Sequence, residues 1–376
     1  PIGIRTSFIH TQIDSGPQDS EIKVAGLDIL PVQPTTADND FLYDPIDQTK
    51  EFDAVHTFAI VRHVLTMYKR ALLRVGWTAD FEWAWRNNES ISVYPRAGET
   101  ANAFYSRQQK AMKFFYFKPD PTTYPDYEYV YTCRSFDIVA HETGHAILDG
   151  LCPGYLESWS SQTGGLHESF ADLTAIFTML AQMDVCEAII AESKADLHNK
   201  TFFNTLAEQF GAALYGHQFG LRNADNDKTM SEVSEEVHDI SQVFTGAVYD
   251  ILADMYANHL KLDEYDPAET LFRIGKHMTA LVIATYVSVP PHMANFRTLA
   301  EKMEALEPEE KWKKCIHDQF EKREVLGARV IRLAPPRNRT KAWSTLCSTM
   351  QRPEYDELRN RKEKLSEELT PNLALL

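Results

Sequence analysis

The run His141-Glu142-Thr143-Gly144-His145 constrains this chain more than any other stretch. It is embedded in Phe136-Asp137-Ile138-Val139-Ala140 before and Ala146-Ile147-Leu148 after, so the segment reads as an apolar, buried helix with Gly150 as its expected stop. Residues four apart on a helix lie one turn apart on the same face, which lets His141 and His145 direct both imidazoles at one ion. Glu142 projects about 100° further round, beside such an ion, where a carboxylate can act as a base on water. With 13 His in 376 residues, this spacing arises by chance in roughly a few per cent of such chains, so a third ligand decides its meaning.

That ligand is expected in Gly164-Gly165-Leu166-His167-Glu168-Ser169-Phe170-Ala171-Asp172-Leu173, the start of a second apolar helix. Glu168 and Asp172 are four apart and share a face. Two acids on a half-buried face are costly without a cation or donor to satisfy them. Zinc and a zinc-bound histidine supply both. Glu168 is therefore expected to be the third zinc ligand, and Asp172 to accept the free ring N–H of His141, fixing its tautomer. A set of two histidines and one glutamate leaves a fourth zinc position to water, the open arrangement of a catalytic site.

A chain of this length can bury a sizeable core. Apolar and charged contents of 44% and 24% are those of ordinary globular proteins. A formal charge of −16 speaks against nucleic-acid partners and anionic membrane surfaces. No apolar run reaches membrane-spanning length, so membrane insertion is not expected. Cys133, Cys152, Cys186, Cys315 and Cys347 are odd in number and lack any Cys-x-x-Cys spacing, which points away from a disulfide framework or thiolate zinc site. That usage favours a cytoplasmic location for the chain as given, with a secreted mature form as the alternative.

Residues 1–50 read as irregular structure with short strands at Ile22-Lys23-Val24 and Leu27-Asp28-Ile29-Leu30. Helical spacing of Phe58, Val61, Leu65, Tyr68 and Leu72 predicts a long helix from Asp53 to Gly76, on which His56 and His63 are structural. Strand-like runs follow at Phe81–Trp85, Ile91–Tyr94, Asn102–Tyr105 and Met112–Phe117, the last two able to pair as an antiparallel ribbon. Beyond the zinc helix the periodicity predicts helices over Leu166–Met183, Phe203–Tyr215, Ile240–His259, Ala268–Ser288, Met293–Ala305 and Lys311–Leu326. The expected fold is α+β: a β-rich N-terminal lobe (1–135) and a helical C-terminal lobe (151–330) flanking a central zinc-binding helix (136–150), with a C-terminal extension (331–376).

From about Asp53 to Leu326 the chain resembles the thermolysin-like metallopeptidases of the gluzincin group. Asp137 to His145 looks like that family's zinc helix, and Glu168 to Asp172 matches its third-ligand motif. Asn102-Ala103-Phe104-Tyr105 resembles the strand such enzymes offer to a substrate backbone, Leu221-Arg222 the dipeptide whose arginine binds a substrate carbonyl, and Val237-His238-Asp239-Ile240-Ser241 the segment carrying a catalytic histidine. The resemblance implies a zinc endopeptidase with a peptide or protein substrate. Glu142 would be its general base and His238 its oxyanion stabiliser, with Asn102, Ala103 and Arg222 binding substrate. Tyr155 and Trp159 both lie between zinc helix and third ligand, and Tyr155 is the candidate second donor to the oxyanion. Ile138 and Leu221 suggest an apolar preference after the scissile bond.

Some positions depart from the family pattern. Asp137 matches an acid of its structural calcium site, but Met179 stands where a glutamate is expected, so Ca2+ is not predicted. His167 stands where an asparagine is usual. Glu232, Glu235 and Glu236 are all candidates to hold the His238 ring. The rival from another class is a catalytically silent, zinc-stabilised protein-binding module.

Overall fold

The computed structural model describes residues 12–119, 121, 127–157, 160–206, 222–261 and 264–327, and it is a mixed α/β structure in which helices far outweigh strands. Most strands come early. β1 (Ile22–Val24), β2 (Ile91–Tyr94), β3 (Ala103–Ser106) and β4 (Ala111–Phe114) form one sheet in the order β1-β2-β4-β3. The β1, β2 and β4 neighbours are parallel, and β3 closes one edge antiparallel to β4, pairing Ala103 with Phe114 and Ser106 with Ala111. The expected ribbon is therefore present. Two small pairs complete the strands among the described residues, β5 (Tyr116–Phe117) with β6 (Val130–Tyr131) and β7 (Thr205–Leu206) with β8 (Arg222–Asn223).

Two expected strands are absent. Leu27–Leu30 is irregular and leaves Leu30 88% exposed, so its alternation meets no partner. Phe81–Trp85 is a loop because its rings are spent on one another: Phe81 lies edge-on to Trp83 at 4.8 Å, and Trp83 stacks on Trp85 at 5.9 Å. Trp83 donates its indole N–H to the Glu21 carbonyl at 2.9 Å.

The first helix, α1 (Lys50–Arg74), starts where the Thr49 hydroxyl accepts the Phe52 N–H. It buries Phe58, Val61, Leu65, Tyr68 and Leu72, the predicted stripe, while His56 and His63 are half-buried, and desolvation pushes their imidazoles below their usual pKa. The next, α2 (Phe136–Leu151), carries the His141-to-His145 run, and after a short α3 (Gly154–Glu157) comes α4 (Ser161–Leu180). A Ser160/Thr163 capping box begins α4 earlier than its apolar pattern predicts. The break at Ala181-Gln182 then starts a separate α5 (Met183–Ser193), where the sequence pattern predicts no helix of its own. α6 (Val237–His259), α7 (Pro267–Ser288), α8 (Phe296–Leu306) and α9 (Glu310–Lys322) follow near their predicted places. The helix expected at Phe203–Tyr215 begins instead as a turn leading into β7, and its remainder lies outside the described residues, as does the segment 331–376.

α2 and α4 are buried on every side over most of their lengths, which is why their patterns are apolar all round and not striped. Buried hydroxyls tie the surrounding helices to α4. Tyr68 of α1 meets Thr174 Oγ1 at 2.8 Å, Thr245 of α6 donates to Ser169 at 3.0 Å, and Tyr286 of α7 donates to the Leu166 carbonyl at 3.0 Å. Among the described residues no single helix is long and apolar enough to cross a membrane. α4 and α5 pass together on length and composition, but they meet at a 97° bend.

Two glycines set how closely α2 is approached. Gly150 does not stop the helix, which runs on to Leu151. A Cβ there would meet the Glu82 carbonyl at 2.7 Å, so the absent side chain admits the aromatic loop. At Gly144 a Cβ would meet Thr174 Oγ1 at 2.7 Å and Ala171 Cα at 3.0 Å. Thr174 cannot turn away, because its hydroxyl is bonded to both Tyr68 and the Phe170 carbonyl. Gly144→Ala is therefore expected to lower stability by about 1–3 kcal/mol, read from urea unfolding. A stability equal to wild type would mean that α2 and α4 are not in this contact.

Candidate metal centre and its surroundings

Two core helices supply three donor atoms to one point. His141 Nε2 and His145 Nε2 of α2 are 3.1 Å apart, and Glu168 of α4 lies 3.5 Å from the first and 3.6 Å from the second through its two oxygens. Zinc bonds of about 2.0–2.1 Å in a tetrahedron require ligand atoms roughly 3.3 Å apart, so the spacing fits that ion. All three residues are buried, as the segment's apolar pattern predicts.

Each histidine has an orienting partner. His141 Nδ1 meets Asp172 Oδ1 at 2.9 Å, as expected from the shared face of Glu168 and Asp172. His145 Nδ1 meets His167 Nδ1 at 2.8 Å, with the two rings stacked at 5.0 Å. Were His145 to ligate an ion through Nε2, its Nδ1 would carry the proton and His167 would accept it. In the sequence His167 stands out only as a departure from the family pattern. Its position beside the third ligand, one helical step before Glu168, was the available signal.

Glu142 stands off this group. Its Oε2 accepts the Tyr105 backbone N–H at 2.9 Å, so the edge strand β3 holds the carboxylate. On the other side, α6 begins with Glu236 as its N-cap, one oxygen accepting the Asp239 N–H at 2.9 Å and the other facing His238 Nδ1 at 2.6 Å. This resolves the choice among the three glutamates. Burial works to raise the Glu236 carboxyl, but the His238 hydrogen bond and charge hold it below its usual value. His238 Nε2 reaches within 3.5 Å of Glu168 Oε2, beyond hydrogen-bond distance, and stands beside the donor trio without belonging to it.

The substrate-binding expectations fare unevenly. β3 is an edge strand, and Ala103 and Tyr105 direct their N–H groups away from β4. The Ala103 N–H is already accepted by Asn102 Oδ1 at 2.9 Å, so that side chain is not simply waiting for a substrate. The outward carbonyl of Ala103 remains the natural contact for an added strand. Tyr155 is not brought to the centre. Its ring is buried against Tyr286 and its O–H reaches the Tyr286 carbonyl at 3.3 Å, because the short α3 turns it into the core. Arg222 opens β8, but its side chain lies outside the described residues, as do Leu221 and Trp159. Asp137, in the first turn of α2, accepts the Ile138 N–H at 3.0 Å, and Met179 is buried in the core.

A second group, His198, Asp225 and Asp250, also draws ligand atoms within 4.8 Å of one another. There Arg323 already donates to Asp250 at 2.7 Å, and Lys322 lies 4.0 Å away. Those cations supply the charge that an ion would bring, and His198 is exposed, so this group lacks the all-buried donor set of the first.

No protein-family model and no curated protein matches this chain. The donors themselves therefore carry the case for its chemistry.

Their protonation makes one expectation. Burial opposes a charge on His141, but hydrogen bonds and charge from Asp172 and Glu168 outweigh it and push its pKa up to about 10. Burial keeps His145 below its usual value, and the three surrounding histidines hold Glu168 well below the carboxylate range against its burial. Glu168 and His145 are thus ready to ligate, whereas His141 must first give up a proton. In the metal-free chain that raised value adds stability that is full below the unfolded value of 6.5 and lost as pH rises through about 10. A bound ion reverses the preference: Zn2+ affinity should rise about tenfold per pH unit from roughly pH 7 to 9. Competition with a chromophoric chelator measures it, and an affinity independent of pH would mean that His141 carries no proton to displace.

Proposed function

We propose that this chain is a zinc metallopeptidase that hydrolyses internal peptide bonds, in the manner of the thermolysin-like enzymes its motifs resemble. The observation that carries the reading is the donor trio itself: His141, His145 and Glu168 at tetrahedral spacing, with Glu142 held beside them and not among them. When bound there, zinc polarises a carbonyl and lowers the pKa of water to about 7.

The chain's own groups account for the rest of the chemistry. Glu142 takes the proton of the attacking water and delivers it to the leaving amine. His238, with Nδ1 engaged by Glu236, keeps Nε2 on the side of the donor trio and donates to the charge that develops on the carbonyl oxygen. An extended peptide would add to the outer edge of β3 through Ala103, beside Glu142. A two-lobe arrangement about α2 rests on the order of strand-like and helical runs in the sequence, and an apolar residue after the scissile bond on Ile138, Leu221 and the resemblance; Arg222 as a substrate-carbonyl donor rests on the resemblance alone. So does the assignment to the gluzincin group.

A peptide library digested by the zinc-loaded protein and mapped by mass spectrometry tests the reading. Cleavage is expected before apolar residues, lost on chelation and recovered with zinc. Stoichiometric zinc with no peptide cut would leave the silent, zinc-stabilised binding module in its place.

A further inference from the structure

Strand β3 is fastened to α2 at two points. The Tyr105 N–H donates to Glu142 Oε2 at 2.9 Å, and the Tyr105 O–H donates to Asp149 Oδ2 at 2.7 Å. Glu142 and Asp149 are seven residues, two turns, apart on one helix face. A single residue of the edge strand thus holds both acids of that face.

Asp149 is fully buried, and the proposed chemistry does not use it. It is gripped by Arg107, the residue immediately after β3, through Nε at 2.7 Å and through Nη2. Arg107 also reaches the Pro153 carbonyl at 2.8 Å and Glu157 at 3.1 Å, beyond the end of α2. Burying such a pair is a poor way to gain stability, since well-packed apolar residues of similar volume serve as well or better. What a bidentate guanidinium–carboxylate pair provides is fixed relative position. The sheet gives β3 a ladder on its β4 side only, so its outer edge depends on α2 for its placement.

We infer that Asp149 is a positioning residue: with Tyr105 and Arg107 it fixes the register of the β3 edge against α2, and with it the alignment of an extended peptide substrate relative to Glu142. The catalytic consequence rests on the peptidase reading; the fastening does not.

Asp149→Leu, Asp149→Asn and Tyr105→Phe test this in the full-length, zinc-loaded chain. In Asp149→Leu, amide exchange of residues 103–107 should accelerate about tenfold or more, with residues 141–145 unchanged. Zinc should stay at one per chain while kcat per zinc-loaded molecule falls about 10- to 100-fold, the size of effect expected from misplacing a substrate by about 1 Å. Asp149→Asn keeps an acceptor for the Tyr105 O–H and should return kcat to within about threefold of wild type. Tyr105→Phe, which removes one O–H and no buried charge, should move exchange and kcat in the same direction as Asp149→Leu and covers the case in which that variant does not fold. A merely structural role predicts lower stability with kcat per zinc-loaded molecule unchanged, and that result overturns the inference, as does unaltered exchange in residues 103–107. If the wild-type protein cuts no peptide, the peptidase reading falls, and the exchange rates alone decide the fastening.

Discussion

Glu142→Gln should retain its zinc and lose peptide hydrolysis, with kcat reduced roughly a hundred- to ten-thousand-fold. The side chain is buried and hydrogen-bonded to the Tyr105 N–H, but it lies outside the donor trio. Glutamine has the same shape, and its amide oxygen can still accept that N–H, so the fold and the edge strand are preserved. Only the capacity to take up a proton is removed. Steady-state kinetics on a peptide that the wild type cuts, with zinc measured by atomic emission on the same sample, separates the possibilities. Undiminished turnover would move the base elsewhere, and loss of zinc would make Glu142 a ligand.

The second large effect concerns the metal. Glu168→Ala deletes a donor that approaches both imidazoles, and it should weaken zinc binding by more than about 100-fold, whereas Asp172→Asn, which alters only the acceptor on His141 Nδ1, should cost about 10- to 100-fold. The order of the two losses is the informative quantity. Chelator competition at one pH on both variants provides it, and equal retention would remove Glu168 from the coordination sphere.

The His141–His145 face and the Glu168–Asp172 face were legible in the sequence because a spacing of four translates into position through helix geometry alone. The edge strand was legible for a similar reason: alternation around Ala103 and Met112 needs only a turn between them. Features that depend on contacts between distant segments were not. Gly150 looked like a helix stop because the loop at Glu82 that crowds it is far away in the chain. Phe81–Trp85 has the alternation of a strand, yet its rings pack on each other. Tyr155 occupied a suggestive gap, but α3 turns its O–H to Tyr286. Among three acids ahead of His238, only the cap geometry of α6 distinguishes Glu236.

The donors and their orienting partners, His141, His145, His167, Glu168 and Asp172, all lie within the consecutive α2 to α4 stretch. An ion there closes a short loop, and the entropy of closing it is modest. Tyr105 and His238, by contrast, reach the centre from earlier and much later in the chain. On the proposed reading, ion capture is thus a local property of the polypeptide, and turnover would be a long-range one. In folding, the ion can be taken up before the distant segments arrive. In evolution, on the proposed reading, drift in those segments would silence hydrolysis before it released the ion.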